Sequence, residues 1–375
     1  MFEHYGIVAL CGLILAALAA AVISALRKYF DSTPLNPVHH GKRHSHDGEH
    51  FSCKFDAEEV RRTAKQKRPR IELGDREADP KVAAVLAAIS RPDVEKALRE
   101  LSGELDITVN GKTVRLSGRN TYTDDLSLAQ SYLEQFYTGL GLKVERHTYK
   151  VRGRTLANLI IEFAGAVNPK KVLYLGAHLD STAGWPWSSE SKAPGADDDA
   201  SGTVALMEIA KVLVKMKPGC TVRLCHFTGE EQGLYGSYAY SDKVAKLSDE
   251  TVIGMIELDM IAYCANPGNR VDVHDDVDRN GSHSLVVALT QAAARYSLNL
   301  NVFDTHNHAV QDRSDHAGFL DHGYKAVLVS EEFTDEGFNP NYHSLGDKVS
   351  ACNLPYMLDV IRMVLACTIE LAEVK

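Results

Sequence analysis

Residues 171–180 read Lys-Val-Leu-Tyr-Leu-Gly-Ala-His-Leu-Asp. From Val172 to Ala177 every residue is apolar or small; the run stops at His178, with Asp180 two positions on. Apolar runs this short suit strands covered on both faces. Comparable runs stand at 156–163, 221–227, 252–259 and 325–330. Apolar residues at helical spacing mark 201–216, 236–247, 284–296 and 354–374. Strands alternating with helices predict an α/β fold: a single domain with a largely parallel mixed central sheet and helices on both faces.

Upstream, 81–89 and 92–102 read as helices with a break near Ser90-Arg91, because Pro92 suits a first helical turn. Asn110-Gly111 between two β-prone runs predicts a hairpin within 107–116. A helix over 124–137 ends at Gly139 and Gly141.

The chain has 375 residues, 45% hydrophobic and 24% charged, an ordinary globular balance. A net charge of -9 gives no broad basic surface and argues against nucleic acid as a partner. Cys11, Cys53, Cys220, Cys225, Cys264, Cys352 and Cys367 form no CxxC pair, so free thiols are expected instead of a disulfide framework.

The first eighty residues differ from the rest. Residues 7–26 are mostly Leu, Ile, Val and Ala, long enough to cross a bilayer core of roughly 30 Å as a helix. Residues 1–30 are therefore expected to be a transmembrane anchor or signal segment, and the protein a single-pass membrane-anchored one. The rival reading is export after cleavage at Ala19-Ala20-Ala21; against it, Glu3 and His4 precede the run where a signal carries basic residues. Arg27, Lys28, Lys42 and Arg43 follow the run, a basic flank too short to settle sidedness. Residues 31–79 read as a polar linker containing a short charged helix at 56–68 and His39, His40, His44, His46 and His50. Such composition cannot bury a core, and its histidines allow loose metal binding as an alternative to a plain spacer. The folded domain is expected over 80–375.

In open α/β sheets, ligands bind beyond the carboxyl ends of the strands. Polar residues there are the candidates for chemistry. His178 ends one strand, and the Asp180 carboxylate is placed to take its second ring N–H. Asp197-Asp198-Asp199 follow Pro194-Gly195-Ala196 and precede a helix. Three such residues cap helices well, yet their crowded charges favour cations. Glu230 and Glu231 follow the strand at 221–227, Asp259 ends another, and His343 lies in a loop before the last helix. Mixed nitrogen and oxygen donors with no cysteine suit a catalytic zinc.

Six segments carry a resemblance: HLDST (178–182), APGADDDASG (193–202), GEEQGLYGS (229–237), ELDM (257–260), SDHAGF (314–319) and NYHS (341–344). In that order, over roughly 85–375, they resemble the dizinc aminopeptidase family, whose relatives include glutamate and plasma carboxypeptidases and glutaminyl cyclases. The resemblance implies two Zn2+ per chain and a peptide substrate. Asp198 would bridge both ions, His178 and Asp259 completing one position and Glu231 and His343 the other. Glu230 would be the general base, Asp180 would orient His178, the Asp198–Asp199 peptide would be cis, and Tyr342 would polarise the substrate carbonyl. Asp315 and His316 are either supports behind the ligands or helix-capping residues. Trp185 and Trp187 are candidates for lining an apolar side-chain pocket.

An exopeptidase, most simply an aminopeptidase, follows. A carboxypeptidase or a glutaminyl cyclase-like acyltransferase of the same family is the alternative, although cyclases lack GADDDASG-type and GEEQGLYGS segments. A non-catalytic homologue would have lost ligands or the base, and all are present here. A zinc-storage role rests on the histidine-rich stretch alone.

Overall fold

The computed structural model describes residues 77–374, apart from 185–189, 248, 266–267, 276–279, 306–309, 311 and 334–336. The anchor expected at 7–26, the histidine-rich stretch, the helix at 56–68, Trp185 and Trp187 lie outside the described residues. Among the described residues, no helix is long and apolar enough to cross a membrane.

Two capped helices come first. Asp79 accepts the Lys81 N–H at 2.8 Å at the start of α1 (Pro80–Ala87), and Ser90 accepts the Asp93 N–H at the start of α2 (Arg91–Leu101). Each has proline in its first turn, where no intrahelical N–H bond is lost. The hairpin β1 (Ile107–Val109) and β2 (Lys112–Val114) turns at Asn110 and Gly111, both at positive φ, as a primed turn requires. Helix α3 (Asp124–Gly139) leads into the central sheet.

That sheet has eight strands in the order β3 (Val144–Val151), β4 (Arg154–Phe163), β6 (Cys220–Phe227), β5 (Asn168–His178), β7 (Thr251–Leu258), β10 (Ala326–Ser330), β8 (Arg270–His274), β9 (Asn301–Thr305). The centre, β6-β5-β7-β10, is parallel. Its flanks are not: β4 is antiparallel to β6, β3 to β4, and β8 to β10. The expected parallel sheet is thus the middle of a mixed one. Strands β3, β8 and β9 were not expected from the sequence. At the edge, β3 reads Val-Glu-Arg-His-Thr-Tyr-Lys-Val, without a continuous apolar run, and β8 and β9 have five residues each.

Successive residues of β5 serve opposite faces, as the pleat dictates. Leu173, Leu175 and Ala177 pack in the large core with α1 to α3, α4 (Ala200–Leu213), α6 (His283–Arg295) and α8 (Leu354–Leu371). Val172 and Tyr174 face α5 (Tyr235–Lys246) and α7 (His316–Asp321) with Tyr240, Val244 and Phe319. Five cysteines among the described residues, Cys220, Cys225, Cys264, Cys352 and Cys367, are free thiols.

The parallel centre sends its carboxyl ends to one side. His178 is the last residue of β5, Asp259 follows β7 directly, and Glu230 and Glu231 follow β6 by a short turn. Helix α4 begins against that edge because Gly202 has no side chain: a Cβ there would lie 2.2 Å from the Leu258 carbonyl oxygen. Gly202→Ala is therefore expected to destabilise the metal-free protein by about 1–3 kcal/mol in urea unfolding. Gly139→Ala, with nothing within 4 Å of the new methyl, should stay within about 0.5 kcal/mol of the parent. Equal effects of the two would contradict this packing.

Candidate metal centre

Side chains from five separate segments converge at this edge. His178 Nε2 lies 3.1 Å from Asp198 Oδ1 and 3.4 Å from Asp259 Oδ1. His343 Nε2 lies 3.3 Å from Asp198 Oδ2 and 3.0 Å from Glu231 Oε2. Asp198 thus turns one oxygen to each histidine. Two donors on one tetrahedral zinc, each at about 2.0–2.1 Å, stand roughly 3.3 Å apart, and the observed separations fit that edge. Glu231 Oε1 is buried and accepts no hydrogen bond from the described residues, as expected of an oxygen kept for a cation. The donor set and these separations therefore suit zinc.

The same arrangement governs where protons sit when no metal is bound. Burial alone would raise Asp198, but hydrogen bonds from His178 and His343 outweigh it and hold the carboxylate well below its ordinary range. Burial disfavours a charged His343, yet Asp198 and Glu231 raise it to about 10. His178 is likewise lifted well above its ordinary value against its own burial, first by Asp259. Glu231 is pushed up to about 7 by burial and by Asp198.

Other carboxylates fix the backbones that carry these donors. Asp199, the N-cap of α4, accepts the Gly202 N–H at 2.8 Å, the His178 N–H at 3.2 Å and the Met260 N–H at 3.4 Å. Asp180 accepts from the Glu230 and Glu231 N–H groups, each at 3.3 Å, and from Thr121 Oγ1 at 2.9 Å. Asp347 accepts from the N–H groups of Asp197 and Asp198 at 2.9 and 3.0 Å. Asp197 takes the Ala262 N–H at 2.7 Å and the Asn339 amide at 2.8 Å. The Asp198–Asp199 peptide is cis.

One expected contact is corrected. His178 Nδ1 lies 3.1 Å from the backbone carbonyl oxygen of Asp180 but 3.9 Å from its carboxylate. The turn after β5 presents the carbonyl to the ring and leaves the carboxylate for the Glu230-Glu231 amides. Asp315 precedes α7 but makes no capping bond. Its fully buried carboxyl is pushed up to about 7, burial being the main cause, and feels the charges of His178, Asp180 and Asp259. His316 is buried too, and burial lowers it to about 3, outside any metal-binding group found among the described residues.

Several residues of this centre carried no sequence signal. Arg119 is fully buried and donates to the carbonyl oxygens of Leu101, Leu179, Pro194 and Gly195 at 2.7–2.9 Å, which joins the β5 end to the loop before Asp197. Asn339 and Asp347 are isolated polar residues in a loop. Phe333 and Phe338 form an edge-to-face series with Tyr342, and the Tyr342 ring stacks on His343 with centroids 3.7 Å apart. A cavity of about 230 Å³ opens over the cluster, lined among others by His178, Asp198, Glu230, Asp259, Phe333, Phe338 and Tyr342.

Comparison with known proteins agrees with this geometry. The model of Peptidase family M28 matches residues 158–368, more than half of the chain and all five candidate ligands. The chain belongs to peptidase family M28. A probable zinc metalloprotease of Pyrenophora teres is 27% identical over 299 residues, 70% of this chain and 61% of that protein. Aminopeptidase Y of Saccharomyces cerevisiae is 28% identical over 194 residues, 49% of this chain and 33% of that protein. The chain thus spans less than two thirds of the length of these relatives. The LapA aminopeptidase structure from Legionella pneumophila superimposes with a TM-score of 0.63 at 21% identity, covering 82% of this chain and 78% of that one, and so shares its fold.

Since His178 and His343 hold protons at neutral pH in the metal-free protein, metal must displace them. Calorimetric zinc titrations at pH 7 in buffers of different ionisation enthalpy are expected to show about two to three protons released per pair of ions, from His178, His343 and in part Glu231, with affinity falling as pH is lowered. Release close to zero would contradict the proton placement.

Proposed function

We propose that this M28 protein is a zinc-dependent aminopeptidase that removes N-terminal residues from peptides, with two zinc ions sharing Asp198. The observation that carries the reading is the pair of Asp198 oxygens, each facing its own histidine at 3.1 and 3.3 Å. His178, Asp198 and Asp259 would hold one ion; Glu231, Asp198 and His343 would hold the other. Zinc, when bound, polarises the scissile carbonyl and lowers the pKa of a bound water towards about 7.

The chain's own groups supply the rest. Glu230 lines the cavity, and burial raises its carboxyl well above the ordinary range although His178 opposes this. A base must hold a proton near working pH and give it up again. Glu230 would take the proton of the attacking water and pass it to the departing amine. The Asp180 carboxylate, accepting the Glu230 N–H, holds the start of that side chain in place. The Tyr342 phenol lines the cavity at its exposed rim and is protonated at neutral pH like any tyrosine. It therefore stays a hydrogen-bond donor, suited to the carbonyl oxygen as negative charge develops there. Three ligand carboxylates against two divalent ions leave a net positive charge, which complements an anionic transition state.

A cavity of about 230 Å³ falls below the roughly 300–1,000 Å³ of drug-sized sites, which suits a single terminal residue better than a length of peptide. The similarity to aminopeptidase Y and the DDDASG and EEQGL segments support the amino-terminal direction. Residues 7–26 would hold the enzyme at a membrane, and resistance of the protein to carbonate extraction checks that part.

Glu230→Ala is expected to keep about two zinc ions while kcat falls by about 10²–10⁴-fold. Retained turnover would remove Glu230 as the base. In a matched panel, aminoacyl amides with a free amino group should be cleaved and their N-acetylated forms left intact. The reverse pattern would overturn the aminopeptidase reading while leaving a zinc peptidase.

A further inference from the structure

The candidate ligands are not held alike. His178 ends a central strand and its side chain is 1% exposed, whereas His343 sits on a loop at φ +49° and is 26% exposed. His343 itself lies outside the strands of the sheet. Its position depends on how the loop 339–347 is fastened.

The loop is fastened at both ends to one short segment. At its start, Asn339 donates its side-chain amide to Asp197 Oδ2 at 2.8 Å. At its end, Asp347 accepts the Asp197 N–H on one oxygen and the Asp198 N–H on the other, at 2.9 and 3.0 Å, and its carbonyl takes the Ala196 N–H at 3.3 Å. Within the loop, Ser344 Oγ donates to the Asn341 carbonyl at 2.7 Å and accepts the Gly346 N–H at 3.1 Å. Asp347 is 2% exposed and bonds backbone only, so a carboxylate is buried there to tie two strips of chain together. Asp197 and Asp199, on either side of Asp198, keep other anchors without it: the Ala262 N–H to Asp197 Oδ1, Ser201 Oγ to the Asp197 carbonyl at 2.7 Å, and the Asp199 carboxylate on His178 and Met260.

We propose that Asp347 is a positioning residue that sets the spacing of His343 from Asp198, and so governs metal affinity at the Asp198–Glu231–His343 position alone. The His178–Asp198–Asp259 position is governed separately, through Asp199. This rests on the dizinc reading above. Weakening Asp347 leaves every metal donor in the chain and loosens the loop more than the Asp198 segment, which the bonds of Asp197 and Asp199 still hold, so the protein should change from loading both ions tightly to loading one tightly and one weakly. Residues that orient metal ligands typically change affinity by about 10–100-fold when replaced.

Stepwise zinc affinities, measured by competition with a chromogenic chelator, test this with a readout independent of activity. In Asp347→Asn, whose amide can accept only one of the two N–H groups, the tighter step should stay within about 3-fold of the parent while the weaker step falls about 10–100-fold. Cobalt titration should then show the first equivalent unchanged in its visible absorption and the second arriving only at higher metal. Asn339→Ala, which removes the amide bond to Asp197 but keeps the Asn339 N–H on Glu331 Oε1, should repeat the pattern more weakly, and it serves if Asp347→Asn does not fold. Unchanged affinities, or equal loss at both steps, would overturn the proposal. A parent protein that takes up fewer than two zinc ions would instead overturn the dizinc reading, so the two failures are distinguishable.

Discussion

The centre depends on one carboxylate shared between two histidines. Asp198 directs its two oxygens to His178 and His343, residues 165 positions apart in the chain. Either histidine alone beside a carboxylate would be an ordinary ion pair. A shared carboxylate forces the end of β5, the loop before α4 and the loop before α8 to meet within a few ångströms. It also contributes to the proton distribution: the buried anion between two imidazoles helps to lift both rings, Asp259 being the larger cause at His178, and is itself held ionised.

Keeping such donors close without metal has an energetic cost, since buried like charges repel and desolvation penalises each one. The chain offsets it with backbone N–H groups. Asp180, Asp197, Asp199 and Asp347 each accept at least one amide N–H from a neighbouring ligand-bearing segment. Each such bond partly restores the hydration lost on burial and fixes the position of the ligand next to it. Arg119 does the complementary work for carbonyl oxygens, gathering four of them under the same loops. Four strands ending at one edge supply the frame; the carboxylates set the spacing.

Much of this was legible in the sequence because the sheet centre and the ligands share one signal. Apolar runs that stop at His178 and Asp259, or shortly before Glu230, mark the strands and the site together. Strands β3 and β9 escaped that reading since a half-exposed flank needs no apolar run, and β8, though buried from Val271 to His274, alternates valine with aspartate and histidine. The Asp180 carboxylate was misplaced for a different reason: a His-x-Asp spacing shows that the two residues are near, not whether carbonyl or carboxylate meets the ring. Asn339, Asp347 and Arg119 act on main-chain groups, and such partners are set by tertiary contact across as many as 150 positions, which local pattern does not record. Membership of peptidase family M28 covers the ligand-bearing stretch and leaves these supports to be found in the structure.

The most direct measurement is a crystal structure of the zinc-loaded protein with anomalous difference maps on either side of the zinc absorption edge. Two peaks about 3.5–4 Å apart are expected, one between His178 and Asp259, the other between Glu231 and His343, with an Asp198 oxygen bonded to each. A single peak, or two peaks of which only one touches Asp198, would contradict the shared carboxylate.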